Sequence, residues 1–363
     1  MTTSVVSMLR QPNRSMPEQL RAMAELLERQ AGEGVEKDAY GKGALIEQFE
    51  TEVAKLLNKP VSVFLPSGTL AQPLALRICA DQKQNANVGV HPSSHLELHE
   101  QNGYQELWRL HGVLIGASDK PFTLTDLQRA HAQQPLAAVV WELPARELGG
   151  QLPDWHDLVV QTQWARQQGI WVHFDGARLW QCEAAYNRSL NEIAGLADSI
   201  YVSFYKDLGG IAGAMLLGPA DFIESARVWA RRAGGNLYSV YPYLLAAQLG
   251  MQENLESVAS AVHYAKQLGQ ALARLPGVDV LPSPPQAAMF HLHIEADKAD
   301  LEQAMSVYKQ QHNIEVLQAP RASRQVNGGN IQIIEVPVGR NAMAKPVEFW
   351  QRHLQALLNS LPA

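Results

Sequence analysis

Short apolar stretches alternate with amphipathic helices along most of this 363-residue chain, and this alternation constrains its fold more than any other feature. The apolar stretches that predict strands lie at 61–65, 137–142, 170–174, 199–204 and 212–217. Helices are predicted between them at about 44–58, from 69 to about 80, at 124–133 and at 154–168. Apolar strands separated by helices indicate an α/β fold with a mostly parallel sheet covered on both faces.

The two ends of the chain follow other patterns. A helix is predicted at 17–30, and a long helical region at about 241–274 leads out of the sheet. Beyond it, strands near 288–294 and 330–336 alternate with helices near 297–312 and 346–360, which fits a smaller α+β domain. We therefore expect an N-terminal arm and helix (1–30), a large domain (31–250) and a small C-terminal domain (251–363).

Composition excludes several classes of partner. The net charge is −6 and there is no run of basic residues, so nucleic acid is not expected as a partner. The two cysteines, Cys79 and Cys182, are too few for a disulfide framework and too far apart for a zinc ribbon. The start resembles no signal peptide, and no stretch reaches the ~18 apolar residues of a membrane span. We expect a cytoplasmic protein with no membrane partner.

An acid and a lysine follow two consecutive predicted strands. Asp175 lies in His173-Phe-Asp-Gly-Ala-Arg178, and Lys206 follows 31 residues later in Ser203-Phe-Tyr-Lys-Asp-Leu-Gly-Gly210. A lysine in a dry pocket can form an imine with an aldehyde, and a buried aspartate can keep a pyridine nitrogen protonated. The alternatives are a lysine that points to water and an aspartate that caps the next helix. Together the two residues favour a pyridoxal phosphate (PLP) enzyme acting on amino acids.

Other polar residues lie near strand ends of the same predicted sheet. Ser67, Gly68 and Thr69 open a helix, where free backbone N–H groups suit a phosphate, although the same residues serve as a plain helix cap. Arg178 follows Asp175 by about one helical turn. It could bind a substrate carboxylate or the phenolic oxygen of the cofactor, or it could pair with a neighbouring acid.

Three histidines at 91, 95 and 99 have the spacing of one helix face, which could suggest a metal site. Pro92 makes a continuous helix from residue 91 doubtful, and no fourth ligand is evident. We favour the interpretation that His95 stacks on a flat aromatic cofactor. The alternative is that all three are ordinary surface or core histidines. No metal is expected.

Arg231 and Arg232 precede a glycine pair at 234–235. They could reach the phosphate, possibly across a subunit contact, or they could be solvated cations at a helix carboxyl end. The sequence leaves both interpretations open.

Taken together, these residues resemble the PLP-dependent threonine aldolases of the β-eliminating lyase group, which have the aspartate aminotransferase type of fold (fold type I). The resemblance covers about residues 38–240. The matching stretches are Ala39-Tyr-Gly41, Phe64-Leu-Pro-Ser-Gly-Thr69, Ser94-His95, Glu142 to Gly150-Gln-Leu-Pro153, His173-Phe-Asp-Gly-Ala-Arg178, Tyr205-Lys-Asp-Leu-Gly209 and the loop from Arg231 to Gly235.

The resemblance implies a role for each matching residue. Lys206 would form the imine, Asp175 would contact the pyridine nitrogen, His95 would stack on the ring and Arg178 would bind the substrate carboxylate. Ser67, Gly68 and Thr69 would hold the phosphate, with Arg231 as a helper. It also implies a homodimer or homotetramer with active sites at subunit interfaces.

This chain departs from the family pattern around the lysine and in the small domain. Tyr205 and Asp207 stand where the family usually has a serine before the lysine and a glycine after it, and Tyr238 replaces an arginine of the glycine loop. The family's small-domain arginine is absent from the stretch 331–335. Candidates for its replacement are Arg321, Arg324 and Arg340.

The expected activity is cleavage of the Cα–Cβ bond of a β-hydroxy amino acid to glycine and an aldehyde. The base that removes the hydroxyl proton would be His95 or a water molecule near it. The alternative is β-elimination from an amino acid, which gives a keto acid and ammonia. A third possibility, more distant, is a PLP-binding protein without lyase turnover.

Overall fold

The computed structural model describes residues 5–8, 10–31, 36–326 and 329–362. Its strands are β1 (Val6–Ser7), β2 (Val61–Leu65), β3 (Asn87–Val90), β4 (His111–Leu114), β5 (Ala138–Glu142), β6 (Trp171–Gly176), β7 (Ser199–Ser203), β8 (Ala214–Gly218), β9 (Val278–Leu281), β10 (Met289–Glu295), β11 (Ile314–Glu315), β12 (Ala322–Val326) and β13 (Gly329–Pro337). Its α-helices are α1 (Met16–Ala31), α2 (Ala44–Leu56), α3 (Gly68–Lys83), α4 (His95–Leu98), α5 (Gly103–Glu106), α6 (Leu124–Gln133), α7 (Trp155–Gln167), α8 (Cys182–Tyr186), α9 (Leu190–Gly195), α10 (Ala220–Arg232), α11 (Tyr241–Asn254), α12 (Ser257–Leu272), α13 (Lys298–His312), α14 (Arg340–Met343) and α15 (Val347–Leu358).

The chain forms two compact units. The large unit consists of residues 13–147 and 152–255, and the small unit of residues 1–12, 148–151 and 256–363. The predicted long helical region at 241–274 consists of two helices, since α11 ends at Asn254 and α12 begins at Ser257. The domain bounds inferred from the sequence stay a prediction.

The large unit contains a seven-stranded sheet in the order β2-β8-β7-β6-β5-β3-β4. Neighbouring strands are parallel except where β8 pairs antiparallel with β2 and β7. The connection from β7 to β8 covers only residues 204–213, too short for a crossover helix, so β8 returns antiparallel. The predicted α/β fold with a mostly parallel sheet is thereby confirmed.

Two strands of this sheet were missed in the sequence. β3 has only four residues and begins with a polar asparagine, and β4 at the sheet edge is partly exposed along its length. Neither shows the apolar run that identified β5, β6 and β7. Their position matters because β3 pairs with β5 and brings the following segment, which contains His95, to the sheet edge described below.

Helix α3 crosses beneath the sheet and carries much of the core of the large unit. Its residues Leu74, Ala75 and Leu76 are fully buried, and Phe222 of α10 lies in the same apolar cluster. Burial of each large side chain contributes roughly 1.5–3 kcal/mol of transfer free energy. This packing fixes the N-terminus of α3 at the end of β2.

The small unit contains a four-stranded antiparallel sheet in the order β12-β13-β10-β9. Phe290, Leu292 and Ile294 of β10 are buried on one face, and Trp350 of α15 is also fully buried. A separate two-stranded parallel sheet pairs β1 with β11. The strands and helices predicted near 288–294, 297–312, 330–336 and 346–360 agree with β10, α13, β13 and α15.

None of the described helices has the length and apolar composition that crossing a membrane requires.

Candidate active site

The sheet topology of the large unit brings the polar residues found in the sequence to one edge. β2, β5, β6 and β7 run parallel, so their carboxyl ends meet at that edge, where open α/β sheets bind ligands. Glu142 ends β5 and is the register partner of Asp175 in β6, which is in turn the partner of Tyr201 in β7. Lys206 follows β7 by three residues.

Asp175 is buried, with 3% of its surface exposed. Its Oδ1 atom accepts a hydrogen bond of 3.0 Å from the backbone N–H of Ala177. Asp175 therefore makes the side-chain-to-backbone hydrogen bond expected of an aspartate that caps the following turn. A capping aspartate does not need to be buried beside a lysine. The burial of Asp175 near Lys206 suits an acid that pairs with a pyridinium.

The pKa of Lys206 is lower than that of an ordinary lysine. The pKa of Lys206 is lowered to about 8, first by burial and then by the guanidinium of Arg178, while the carboxylates of Asp175, Glu142 and Asp207 act in the opposite direction. The Nζ atom lies 5.8 Å from the centroid of the Tyr205 ring. More of this amine is therefore unprotonated near neutral pH than for an ordinary lysine, and the unprotonated form can attack an aldehyde.

Arg178 begins the 3₁₀ turn Leu179–Gln181 that follows β6, and it is 6% exposed. It lies close enough to Lys206 to lower the pKa of that amine. The sequence interpretation of Arg178 as a carboxylate ligand stays a prediction.

The turn after β2 forms a narrow cradle. Ser67 caps α3 by accepting the N–H of Leu70 at 3.3 Å, and Gly68 is the first residue of this 16-residue helix. A Cβ atom at Gly68 would overlap the hydroxyl of Tyr201, which is itself buried. Thr69 is exposed. Helix N–H groups, the Ser67 hydroxyl and the Tyr201 hydroxyl form a donor set suited to a phosphate.

Tyr201 was missed in the sequence because it lies inside an apolar strand. Its hydroxyl is 3.4 Å from the hydroxyl of Tyr205, the residue that stands in place of the family's serine. Tyr205, which replaces the family's serine, therefore still places a hydroxyl group beside the cradle. The only sequence feature that could have identified Tyr201 as a site residue is its position in a strand otherwise made of small and aliphatic residues.

The glycine loop after α10 packs near this cradle. A Cβ atom at Gly235 would overlap the side chain of Leu70 in the first turn of α3. Arg231 is exposed, and its guanidinium carbon lies 5.8 Å from the ring centroid of Tyr40. The Tyr40 ring packs edge-on against Tyr238 at 5.3 Å between centroids. Contact of Arg231 with a phosphate stays a prediction.

His95 is held by two carboxyl groups that the sequence reading assigned no role. Its backbone N–H donates to Glu142 Oε2 at 3.3 Å, and its Nδ1 atom lies 3.1 Å from Glu100 Oε1. The Glu100 side chain is only 3% exposed. Burial raises the pKa of Glu100, although its bond with His95 opposes that effect.

The three histidines of the predicted trio do not lie on one helix face, because only His99, whose ring centroid is 5.3 Å from that of His95, follows His95 along α4. Helix α4 begins only at His95, and His91 bonds to Ser93 Oγ at 2.8 Å and to the Lys120 carbonyl at 2.9 Å. His99 pairs with Glu147 at 2.8 Å. Across the described residues, no cluster of three or more His, Cys, Asp or Glu side chains could hold a metal ion.

Burial raises the pKa of Glu142 to about 7, and the neighbouring Asp175 carboxylate adds to the rise. Its Oε1 atom accepts the backbone N–H of Arg146 at 3.0 Å, so Glu142 also fixes the segment after β5. The site thus combines a lysine with a lowered pKa and a glutamate with a raised pKa, a pattern common at catalytic sites.

The candidate replacements for the missing arginine lie in the small unit. Arg321 bonds to Glu335 at 3.1 Å, and Arg324 bonds to His293 Nδ1 at 3.1 Å. Arg340 begins α14. Which of the three binds a substrate stays open.

Comparison with known proteins identifies the family. The family model described as Beta-eliminating lyase matches residues 20–295. The chain belongs to this family. The resemblance to the β-eliminating lyase group that the sequence indicated is thereby confirmed.

Two solved structures resemble this β-eliminating lyase family member over nearly its whole length. A Listeria monocytogenes protein provisionally named an L-allo-threonine aldolase is 37% identical, covers 97% of this chain and 96% of its own, and has a TM-score of 0.88. An Exiguobacterium protein provisionally named an aromatic amino acid β-eliminating lyase/threonine aldolase is 36% identical, covers 98% and 97%, and also has a TM-score of 0.88.

A more distant relative is the low-specificity L-threonine aldolase 1 of Arabidopsis thaliana. It is 23% identical over 271 residues, which are 72% of this chain and 75% of the relative. Together the comparisons confirm fold type I, PLP as the cofactor and a PLP-dependent carbon–carbon lyase of the threonine aldolase type.

Proposed function

We propose that this protein cleaves the Cα–Cβ bond of a β-hydroxy amino acid, giving glycine and an aldehyde. The observation that carries the proposal is the Asp175–Lys206 arrangement at the ends of β6 and β7, where a buried acid faces an amine whose pKa is lowered to about 8. The provisional name of the Listeria protein supports the substrate class.

The residues present fit PLP, because Gly68 leaves room where any Cβ would meet Tyr201. We assign Lys206 to the aldehyde, Asp175 to the pyridine nitrogen and His95 to the face of the ring. Ser67, Gly68 and Thr69 would hold the phosphate, with Arg231 as a helper. When bound, the cofactor supplies an electron sink for the bond that breaks at Cα.

The protein's own groups would orient the substrate and move its proton. Arg178 would bind the substrate carboxylate, since a guanidinium can do so with two parallel hydrogen bonds. His95 would accept the β-hydroxyl proton, directly or through water. Asp175 would hold the ring proton in place.

We also propose a homodimer or homotetramer. Tyr40 and Tyr238 expose 52% and 58% of their surfaces beside Arg231, which is unusual for a pair of packed aromatic residues on a free monomer surface. Covering them with a second copy would bring that copy to the edge of the site. Sedimentation of the purified protein would measure the number of copies.

The activity is tested with purified holoenzyme and three β-hydroxy amino acids: L-threonine, L-allo-threonine and phenylserine. Aldehyde release, coupled to a reductase, is expected with at least one of them and is expected to vanish in Lys206→Ala. Glycine should form in equal amount. If none of the three releases an aldehyde, the proposed function is rejected.

A second candidate is β-elimination to a keto acid and ammonia. The Exiguobacterium protein's provisional name includes this activity, and the stretch 331–335 lacks the arginine expected in the family. Keto acid release from serine, cysteine or an aromatic amino acid, without aldehyde from the first panel, would favour it.

A further inference from the structure

Glu100 is a buried carboxyl group for which the reaction outlined above provides no role. It lies just past α4 with a side chain 3% exposed, and its Oε2 atom is buried with no hydrogen-bond partner among the described residues. Leaving a carboxylate oxygen without a partner costs free energy, so such a group is retained in natural proteins chiefly where it serves a function. Its one strong contact is with His95.

The contact determines which nitrogen of His95 carries the proton. A carboxylate can only accept hydrogen bonds, so the Nδ1 atom that faces Glu100 Oε1 at 3.1 Å must be the N–H. Hydrogen bonds of the described residues occupy Nδ1 and leave Nε2 available. A neutral His95 in this tautomer presents the lone pair of Nε2 as a base.

The backbone of His95 is fixed as well. Glu142 Oε2 accepts its N–H at 3.3 Å, while Glu142 Oε1 accepts the N–H of Arg146. The ring is therefore anchored through its backbone by one carboxyl group and through Nδ1 by another. An imidazole held at both points loses little conformational freedom when it receives a proton.

We propose that Glu100 is the positioning residue for His95, holding Nδ1 protonated and presenting Nε2 to the β-hydroxyl proton of the substrate. This rests on the proposed function, in which His95 accepts that proton. Glu100 itself touches no reacting atom. In hydrolases of unrelated folds, an acid likewise orients a catalytic histidine and fixes its tautomer.

Charged groups surround the His95–Glu100 pair. Asp175 and Lys206 both act electrostatically on Glu100, with opposite signs. On the other side of His95, the His99 ring lies 5.3 Å away between centroids and is itself paired with Glu147. Replacing Glu100 by glutamine therefore removes one negative charge from a site that retains Asp175, Glu142 and Lys206.

The first experiment reads the tautomer without requiring turnover. Holoenzyme labelled with ¹⁵N-histidine is examined by two-bond ¹H–¹⁵N NMR at a pH where His95 is neutral, and His95→Asn identifies the signal. We expect the Nδ1–H tautomer in the wild type and a mixture of tautomers or the Nε2–H form in Glu100→Gln. An Nε2–H tautomer in the wild type, or an unchanged pattern in Glu100→Gln, overturns the proposal.

A matched control is available on the same short helix. Glu97 accepts a hydrogen bond from the hydroxyl of Tyr104, and none of the hydrogen bonds among the described residues joins it to His95. Glu97→Gln therefore makes the same chemical change three residues from Glu100 and should leave the His95 signals unchanged. If it shifts them as Glu100→Gln does, the effect is a general one of charge and the positioning role is rejected.

The second experiment measures kcat and KM with the substrate found active above. We expect Glu100→Gln to lower kcat/KM about 10- to 100-fold with KM changed less than kcat. Glu100→Asp, with a shorter side chain, should recover part of the lost rate.

The visible absorbance of the bound cofactor confirms in each variant that the site is assembled. A Glu100→Gln enzyme with full cofactor content and an unchanged kcat would overturn the inference. If instead the wild type releases no aldehyde, the proposed function fails, and the NMR result still decides whether Glu100 sets the tautomer of His95.

Discussion

Glu142 and Asp175 are register partners at the carboxyl ends of β5 and β6, so two carboxyl groups lie side by side at one corner of the site. The pKa of Glu142 is raised from an ordinary 4.5 to about 7, first by burial and then by Asp175. Two neighbouring carboxylates cannot both ionise without cost. Glu142 therefore carries a proton below neutral pH while Asp175 remains available to a pyridinium.

The first prediction concerns stability against pH. Because the folded protein binds the Glu142 proton more tightly than the unfolded chain, this group favours folding below pH 4.5, and that contribution is lost as the pH rises to about 7. The loss should be on the order of 1–3 kcal/mol. Thermal unfolding of the cofactor-free protein should show a larger drop between pH 5 and pH 8 in the wild type than in Glu142→Gln. Equal drops would contradict the shifted pKa.

The second prediction concerns the capture of the cofactor by Lys206. With a pKa lowered from 10.5 to about 8, the amine loses its proton as the pH rises through 8. The rate at which apoenzyme and PLP develop the visible imine absorbance should rise about tenfold per pH unit below 8 and level off above it. A rise that continues past pH 9 would indicate an ordinary lysine. Lys206→Arg, which keeps the charge, should develop no such absorbance.

The third prediction concerns the cradle at the start of α3. In Gly68→Ala the added methyl group would overlap the Tyr201 hydroxyl, and the buried Tyr201 ring has little room to move. We expect a loss of about 1–3 kcal/mol in stability and weaker PLP binding, by about tenfold or more. Fluorescence titration of the apoenzyme measures the binding. Gly195→Ala is the matched control, since nothing lies within 4 Å of its Cβ position.

The fourth prediction concerns the sheet edge formed by β2. Glu50 of α2 is 6% exposed, accepts the N–H of Phe64 at 2.7 Å, and bonds to Arg227 of α10 at 2.6 Å. Glu50→Ala would leave a buried N–H and a guanidinium without their partner, at a cost of about 2–4 kcal/mol. Glu50→Gln keeps an acceptor and should cost less. Chemical unfolding of both variants checks this order, and equal losses would contradict it.

Much of the fold was readable because apolar strands and amphipathic helices have distinct periods. β2 and α6 were predicted with their observed bounds, and β5, β6 and β7 within two residues. β3 and β4 were missed because four-residue strands with polar or exposed positions lack that pattern. The reversal of β8 also escaped prediction, since strand direction depends on the length and path of a connection rather than on the strand's own residues.

The sequence alone determined the chemistry-bearing residues that follow strands, Asp175 and Lys206, because strand ends and local motifs are properties of short segments. It likewise determined the family and the cofactor. Only the tertiary structure decided which acids surround them: Glu142 meets Asp175 through strand register, and Glu100 meets His95 through the turn of α4. Burial shifts pKa values only once the chain has folded. The shifted pKa values of Lys206 and Glu142 therefore arise from tertiary packing, which no local sequence pattern encodes.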